Sequence, residues 1–114
     1  MDNSILQDIR EICDIDKEDD SFDGQLIPLI NTYLNRAYTL GVGTKGFSIT
    51  GPNEKWSDFI TNGLEYYEPI KNYIGLRVKL IFDPPESSAL QTALKEEMRE
   101  IEWGLNSTAE GAFD

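Results

Sequence analysis

The stretch that decides the fold runs Arg77-Val78-Lys79-Leu80-Ile81-Phe82-Asp83-Pro84-Pro85-Glu86-Ser87-Ser88-Ala89-Leu90. Its first half is an apolar, helix-like run that ends at Phe82. Two prolines then prevent this helix from continuing, because proline lacks an N–H and clashes with the carbonyl four residues earlier. The residue before a proline is also pushed out of the helical region. The sequence therefore predicts a sharp corner, made of Phe82, Asp83, Pro84 and Pro85, with a further helix opening after it.

Composition points to one small acidic domain. The 114 residues carry 21 acidic and 10 basic side chains and no histidine, which gives a net charge of −11. This excess of negative charge argues against a surface that grips nucleic acid or an anionic membrane. No apolar run approaches the roughly 20 residues of a membrane span, and we expect no signal peptide. The single cysteine, Cys13, excludes an internal disulfide and fits a reducing compartment.

The N-terminal part of the chain predicts a short helix followed by an acidic linker. Ile5, Ile9 and Ile12 recur at helical spacing, and Asn3 or Ser4 can cap this helix. The acidic linker, residues 14–23, begins like a calcium-binding loop, but neither possible register places a glutamate at the required twelfth position. We therefore expect a solvated loop whose aspartates cap the next helix.

A second helix and a glycine-rich loop follow the linker. Leucine and isoleucine residues at helical spacing predict a helix over about residues 24–40, with Pro28 in its first turn. Residues 42–53 contain three glycines and a proline and predict a loop. These glycines lack the lysine-containing pattern of a phosphate-binding loop. A loop of this length in a small chain suggests a projecting contact element.

After a short helical turn around Trp56, residues 64–82 predict the central helix. Two adjacent apolar stripes cover about two-thirds of its circumference. They leave a solvated strip that contains Glu65, Glu68, Lys71, Asn72, Gly75 and Lys79. Such a helix packs on several sides, within the fold or between subunits. Residues 76–82 also alternate like a β-strand, but the continuous stripe from Tyr67 favours a helix. Arg77 falls inside the apolar arc, where it either snorkels or meets a carboxylate.

Beyond the corner, one narrow apolar stripe predicts an amphipathic helix that ends near Asn106. Trp103 lies about half a turn away from this stripe, four residues after Arg99, so that the two side chains can stack. A tryptophan on the polar face is either covered by the first helix or exposed for a partner, and the sequence leaves both open. Residues 107–114 are predicted to form a flexible tail. Residues 1–106 then form a single helical domain.

These segments together predict an all-α protein, a small bundle of four to five helices with a Pro-Pro corner before a long C-terminal helix. The absence of histidine excludes a histidine-based triad and imidazole metal ligands. Cys13, on an apolar stripe without a histidine, is a poor nucleophile. The carboxylates lie in a loop and on a solvated helix face, without the dry pocket that tunes a catalytic pKa. We expect no enzymatic activity, no cofactor and no metal ion.

The corner and the end of the last helix resemble a known family. The segment from Val78 to Leu90, together with Glu102-Trp103-Gly104-Leu105-Asn106, is similar to the small head–tail connector proteins of tailed bacteriophages, also called head-completion or adaptor proteins. The resemblance extends over about residues 3–106. Family members often have arginine where this chain has Gly104, and glycine there loosens the last turn by about 1 kcal/mol.

The resemblance implies a structural virion protein that assembles as a ring, usually twelvefold, beneath the portal in the virion neck. Such a ring extends the DNA channel, through which DNA passes without specific binding. It also offers the platform for the next neck or tail protein, a stopper or tail-completion protein. The implied partners are further copies of the chain, the portal and that next protein. Assembly takes place in the host cytoplasm, without a membrane.

Candidate contact surfaces follow from the same resemblance. The candidate portal or subunit interface on the last helix comprises Leu90, Leu94, Met98, Arg99, Ile101, Trp103 and Leu105. The glycine-rich loop is a candidate for the lumen or the next ring through Gly43, Lys45, Gly46 and Phe47. The candidate acidic channel surface is formed by Asp14, Asp16, Glu18, Asp19 and Asp20, for which a merely solvated face is the alternative.

Two other classes of function also fit the chain. A small acidic phage protein can mimic DNA and block a host nucleic-acid-binding protein; size and charge agree with this, but the Phe-Asp-Pro-Pro corner stays unexplained. A generic helical adaptor from a non-viral operon is the third hypothesis. The genomic neighbourhood distinguishes it from a connector, whose gene lies near portal and capsid genes.

Overall fold

The computed structural model describes residues 3–61 and 64–111, with the side chains of Leu64 and of residues 105–111 outside the description. Within these residues the protein has no β-strand and five α-helices. They are α1 (Ile5–Ile12), α2 (Asp23–Thr39), α3 (Trp56–Phe59), α4 (Tyr67–Phe82) and α5 (Ser88–Gly111). A 3-10 turn at Leu64–Tyr66 leads into α4. The predicted all-α bundle is confirmed, and residues 76–82 are helical rather than extended.

Helix α1 begins at a side-chain cap. The Ser4 hydroxyl accepts a hydrogen bond from the Gln7 N–H at 3.2 Å, as the sequence allowed. Backbone bonds between residues 3–5 and 54–56 then join this end of α1 to the start of α3. The indole N–H of the buried Trp56 donates to Asp8 at 2.8 Å. Helix α1 is thereby joined to α3 at its N-terminal end and through Asp8.

Helix α2 differs from the prediction at its N-terminus. It begins at Asp23, so Pro28 is its sixth residue and lies in the second turn, not the first. The carbonyl that Pro28 leaves without an N–H belongs to the exposed Gly24, where water can satisfy it. The expected capping by linker aspartates is also wrong, because the N-cap residue is Phe22 and no side chain caps the helix.

Helix α4 is the centre of the core and packs against α1, α2 and α5. Its buried residues include Ile70, Tyr73, Ile74 and Val78, as the apolar stripes predicted. Gly75, placed by the sequence on the solvated strip, is instead buried. A Cβ atom at this position would overlap Cδ1 of Ile12 and lie 2.9 Å from its Cγ2. The missing side chain therefore lets α1 cross close to α4.

The predicted corner separates α4 from α5. Helix α4 ends at Phe82, and Asp83 leaves the helical region with φ −146° and ψ 71°. The ring of Phe82 packs edge-on against Phe22, with centroids 5.4 Å apart. Ser87 then caps α5, because its hydroxyl accepts the Leu90 N–H at 3.3 Å.

Helix α5 continues to Gly111, past the end predicted near Asn106. Ala109 and Glu110 are good helix formers, which explains the extra turn. The helix thus runs through the boundary at which the sequence placed a flexible tail. Residues 112–114 of that tail lie outside the described residues. The division into a domain over 1–106 and a tail stays a prediction.

Candidate functional site

Over its described side chains, residues 88–104, helix α5 contacts the bundle along one side. Met98 is fully buried against the other helices, whereas Leu94 and Ile101 are half-buried. Leu90 and Trp103 are 51 % and 73 % exposed. The structure therefore divides the candidate interface into residues that hold α5 in the monomer and residues that point away from it. The side chain of Leu105 lies outside the described part of the chain.

Trp103 is exposed, which answers the question that the sequence left open. It lines a groove of about 390 Å³ with Arg36, Leu40, Arg99 and others, between the end of α2 and α5. The stack of Arg99 on Trp103 is not among the cation–π contacts of the described residues, which are Lys71 on Tyr67 and Arg77 on Tyr73. The Arg99 guanidinium instead lies 3.2 Å from Glu96, one turn earlier. The tryptophan face is consequently open to a partner.

A polar cluster under this groove joins three helices. Oε1 of Glu102 in α5 accepts hydrogen bonds from the Tyr73 hydroxyl at 2.5 Å and from Arg77 Nη2 at 3.1 Å, both in α4. Arg36 of α2 approaches the same oxygen at 3.7 Å. Arg77 therefore meets a carboxylate, one of its two predicted fates, and its guanidinium also lies 5.7 Å from the Tyr73 ring. Its Nε atom is buried without a hydrogen-bond partner.

The cluster changes the pKa values of its members in opposite directions. Burial and the hydrogen bond to Glu102 raise the pKa of Tyr73 to about 12, so its hydroxyl stays a donor. Burial alone would raise the pKa of Glu102, but the Tyr73 hydroxyl and the Arg77 guanidinium outweigh it and lower that pKa. Glu102 is thus held as an anion that links α5 to α4.

The cluster and Trp103 line two adjoining depressions, of about 460 and 390 Å³, that share Arg36, Thr39 and Glu102. We call the combined surface the arginine groove and define it by Arg36, Arg77, Arg99, Glu102 and Trp103. It holds no histidine or cysteine, and no group of three or more metal-ligating side chains occurs within the described residues. Its chemistry suits the binding of a carboxylate or an aromatic side chain.

A family model described as a phage connector protein matches residues 5–112 of the chain. This protein belongs to the phage connector family. The family match supports a structural role at the neck between head and tail, with portal and neck proteins as the class of partner. Comparisons with curated proteins and with solved structures gave no match. In the part of the connector that the structure describes, no helix is both long and apolar enough to cross a membrane.

The acidic linker of the connector is ordered by its own side chains. Asp16 accepts the N–H of Glu18 at 2.8 Å, and Asp19 accepts both the N–H and the hydroxyl of Ser21. Those hydrogen bonds from Ser21 lower the pKa of Asp19. Asp14, with φ 62°, forms an ion pair of 2.9 Å with Lys79 on α4. Asp16, Glu18 and Asp20 are exposed.

Sequence reasoning missed the side chain that anchors this linker. Arg10 is only 3 % exposed and forms a bidentate salt bridge with Asp23. Its Nε atom donates to Oδ1 at 3.1 Å, and its Nη2 atom donates to Oδ2 at 2.6 Å. Its Nη1 also donates to the carbonyl of Lys17 at 2.5 Å. In the sequence Arg10 stands at the edge of the apolar stripe of α1, four residues after Leu6, where a charged side chain is normally expected to reach solvent. Its partner comes thirteen residues later, across a loop.

The glycine-rich loop of the connector folds back instead of projecting as a whole. Phe47 is half-buried against Phe59, with ring centroids 5.3 Å apart. Gly43 adopts φ 99°, and a Cβ atom there would overlap the Phe59 ring. Only Lys45 and Gly46, of the four candidate contact residues, are exposed. Val42 and Ile49 are buried and Phe47 is half-buried, which holds the loop against the bundle at these residues, and the role of its exposed part as a contact element stays a prediction.

Proposed function

We propose that this connector assembles as a twelvefold ring beneath the portal, extends the DNA channel and carries the next neck or tail protein. The observation that carries the proposal is the outward side of α5, where Trp103 and Leu90 remain exposed although α5 is docked on the bundle. Exposed tryptophan and arginine are typical of surfaces that partners cover. Portal and subunit contacts are assigned to these exposed side chains of α5.

The net charge of the chain supports the proposed role as part of the DNA channel. A ring of subunits with a net charge of −11 each offers few cations to DNA phosphates, so DNA passes without specific binding. The exposed carboxylates of the acidic linker, Asp16, Glu18 and Asp20, are candidates for the channel wall. The tip of the glycine-rich loop, Lys45 and Gly46, is the candidate for the lumen or the next ring. Assembly is placed in the host cytoplasm.

The test is negative-stain electron microscopy of this protein mixed with the portal ring of the same genome. We expect an annular layer at one end of the portal. The number of subunits in this layer gives its symmetry. Trp103→Ala is expected to remove the layer, whereas Lys95→Ala, on the same helix but outside the candidate interface, keeps it. Bare portals with the unmodified chain would overturn the proposal.

The strong negative charge also fits the second function, mimicry of DNA by a small acidic phage protein. A mimic binds basic host proteins with strong salt dependence and remains a monomer or dimer in the presence of the portal. The same mixture separates the two functions, because only a connector adds a layer to the portal.

A further inference from the structure

The arginine groove is a local exception on an acidic molecule. Three of the chain's ten basic side chains, Arg36, Arg77 and Arg99, line it. Glu102 is the carboxylate in its lining, and Glu96 lies beside Arg99 at its rim. The groove therefore presents more guanidinium groups than carboxylates, although acidic residues outnumber basic ones by about two to one in the whole chain.

Two of these guanidinium groups are available to an incoming anion. The side chains of Arg36 and Arg99 are 52 % and 74 % exposed. Arg36 lies 3.7 Å from Glu102, and Arg99 pairs with the exposed Glu96 one turn earlier in α5. Ion pairs of this kind contribute little to stability. A carboxylate that arrives with its partner can therefore engage them at small cost, with two parallel hydrogen bonds for each arginine. Trp103 provides an apolar surface beside them.

The acidic linker has the complementary composition. Glu18 and Asp20 are exposed, and the turns around Asp16 and Asp19 together with the buried Arg10 hold the loop in shape. Such an ordered loop loses little conformational freedom when it binds. At its end Phe22 is 39 % exposed. Carboxylates next to an aromatic ring thus match arginines next to a tryptophan.

Within the described residues of one molecule the two surfaces do not pair, because Arg36 and Arg77 lie against Glu102 and Arg99 lies against Glu96. The linker ends at Asp23, the first residue of α2, and Arg36 follows thirteen residues later in the same helix. At about 1.5 Å per residue, α2 holds them roughly 20 Å apart. The groove and the exposed linker carboxylates Glu18 and Asp20 are thus separate surfaces of one molecule, which a neighbouring copy can bring together.

We propose that the arginine groove of one copy binds the acidic linker of the neighbouring copy, so that Glu18 and Asp20 lie at the contact between copies and not on the channel wall. This contact joins two different patches, and a head-to-tail contact of this kind generates a ring when the rotation from one copy to the next closes. The inference rests on the proposed ring function and adds which two surfaces form the ring. It also predicts that the contact weakens as the salt concentration rises.

The experiment uses two charge-reversed variants of the full chain with the portal ring. The groove variant is Arg36→Glu with Arg99→Glu, and the linker variant is Glu18→Lys with Asp20→Lys, which spares the turn-forming Asp16 and Asp19. Because Arg36 also lies 3.7 Å from Glu102, Arg36→Glu can weaken the docking of α5 on the bundle. In that case Arg99→Glu alone is used as the groove variant. Lys95→Glu is the control for Arg99→Glu, because it makes the same change of charge at an exposed position of α5. Glu65→Lys with Glu86→Lys is the control for the linker variant, because it makes the same change of charge at exposed positions outside the linker. Circular dichroism checks the helix content of each protein.

Each variant alone is expected to lose the annular layer, with self-association weakened at least about a hundredfold, whereas both controls keep it. An equal mixture of the two variants restores the layer, because the reversed groove accepts the reversed linker and the original groove accepts the original linker. If the variants form layers alone, or if the mixture stays unassembled, this inference is overturned while the ring function stands. If the unmodified chain adds no layer, both fall.

Discussion

The hydroxyl of Tyr73 donates a hydrogen bond of 2.5 Å to Oε1 of Glu102, and this bond joins the centre of α4 to α5. Arg77 contributes a second donor to the same oxygen. Without this anchor α5 would rest on the bundle mainly through Met98 and the half-buried apolar residues beside it. The outward surface that we assign to assembly is therefore positioned by the Glu102 carboxylate together with these apolar contacts.

The first prediction concerns the pH dependence of this anchor. The pKa of Glu102 is lowered in the folded state, so its contribution to stability is fully present above the unfolded pKa of about 4.5. It is lost as the pH falls through the lower folded value, where the carboxylate becomes protonated. Glu102→Gln should therefore destabilise the protein at neutral pH by about 1–3 kcal/mol and by less in acid.

Urea unfolding of both proteins across the acid range measures this difference. Glu97→Gln, an exposed position on the same helix, is the control and should change little at any pH. If the difference in unfolding free energy between the unmodified protein and Glu102→Gln stays constant down to acid pH, Glu102 does not stabilise α5 as an anion.

A second prediction tests the buried salt bridge between Arg10 and Asp23. Removing one partner of such a pair leaves the other charge without compensation, so Arg10→Ala should lower the free energy of unfolding by about 3–5 kcal/mol. Arg99→Ala removes an exposed pair with Glu96 and should cost less than about 1 kcal/mol. Chemical denaturation compares the two variants, and equal losses would show that Arg10 does not anchor the linker.

The third prediction addresses the close approach of α1 and α4 at Gly75. Alanine gains about 1 kcal/mol of helix propensity over glycine, but here its Cβ meets Ile12 and overpacking costs about 1–3 kcal/mol. Gly104→Ala is the matched control, because a Cβ atom there meets nothing within 4 Å. Gly75→Ala should thus be the less stable of the two variants.

Shortening the side chain of Ile12 tests directly whether it is what a Cβ atom at position 75 meets. In an Ile12→Ala background, Gly75→Ala should become neutral or stabilising, since the clashing atoms are gone. The measurement is a double-mutant cycle on unfolding free energies, and a coupling energy near zero would refute the contact.

A fourth prediction separates the two tryptophans. Trp103 is mostly exposed, so Trp103→Ala should change the free energy of unfolding by no more than about 0.5 kcal/mol while assembly is lost. Trp56 is fully buried, and Trp56→Ala should cost about 3–5 kcal/mol. Thermal melting of the unassembled protein distinguishes them. A large loss for Trp103→Ala would place this side chain in the core and not at an interface.

Local pattern predicted the helices well, because apolar spacing, caps and prolines act over a few residues. The Ser4 cap, the end of α4 at Phe82 and the end of α2 before the glycine-rich loop all follow from such short-range rules. Contacts between distant segments could not be predicted in the same way. Gly75 has no side chain to mark it as buried, so only the crossing of α1 reveals its role.

The same limit applies to the candidate site. Glu102 is one of several glutamates on α5, and nothing in the spacing distinguishes it from its exposed neighbours. Its role appears only when Tyr73 and Arg77 are placed against it. The glycine-rich loop was expected to project because of its length, whereas a partner for Phe47, the ring of Phe59, draws it back.

The last prediction concerns the corner that sets the direction of α5. Pro84 and Pro85 stop α4, and without them the helical region becomes accessible to residues 83–87. Replacing both by alanine should keep or raise the helix content but let α4 and α5 change their relative angle, which pulls Glu102 away from Tyr73. Circular dichroism together with electron microscopy of portal mixtures measures both effects. Pro52→Ala, in an exposed loop, is the control. Rings that form unchanged on the portal would show that the prolines do not fix this angle, and that the Glu102 anchor alone orients α5.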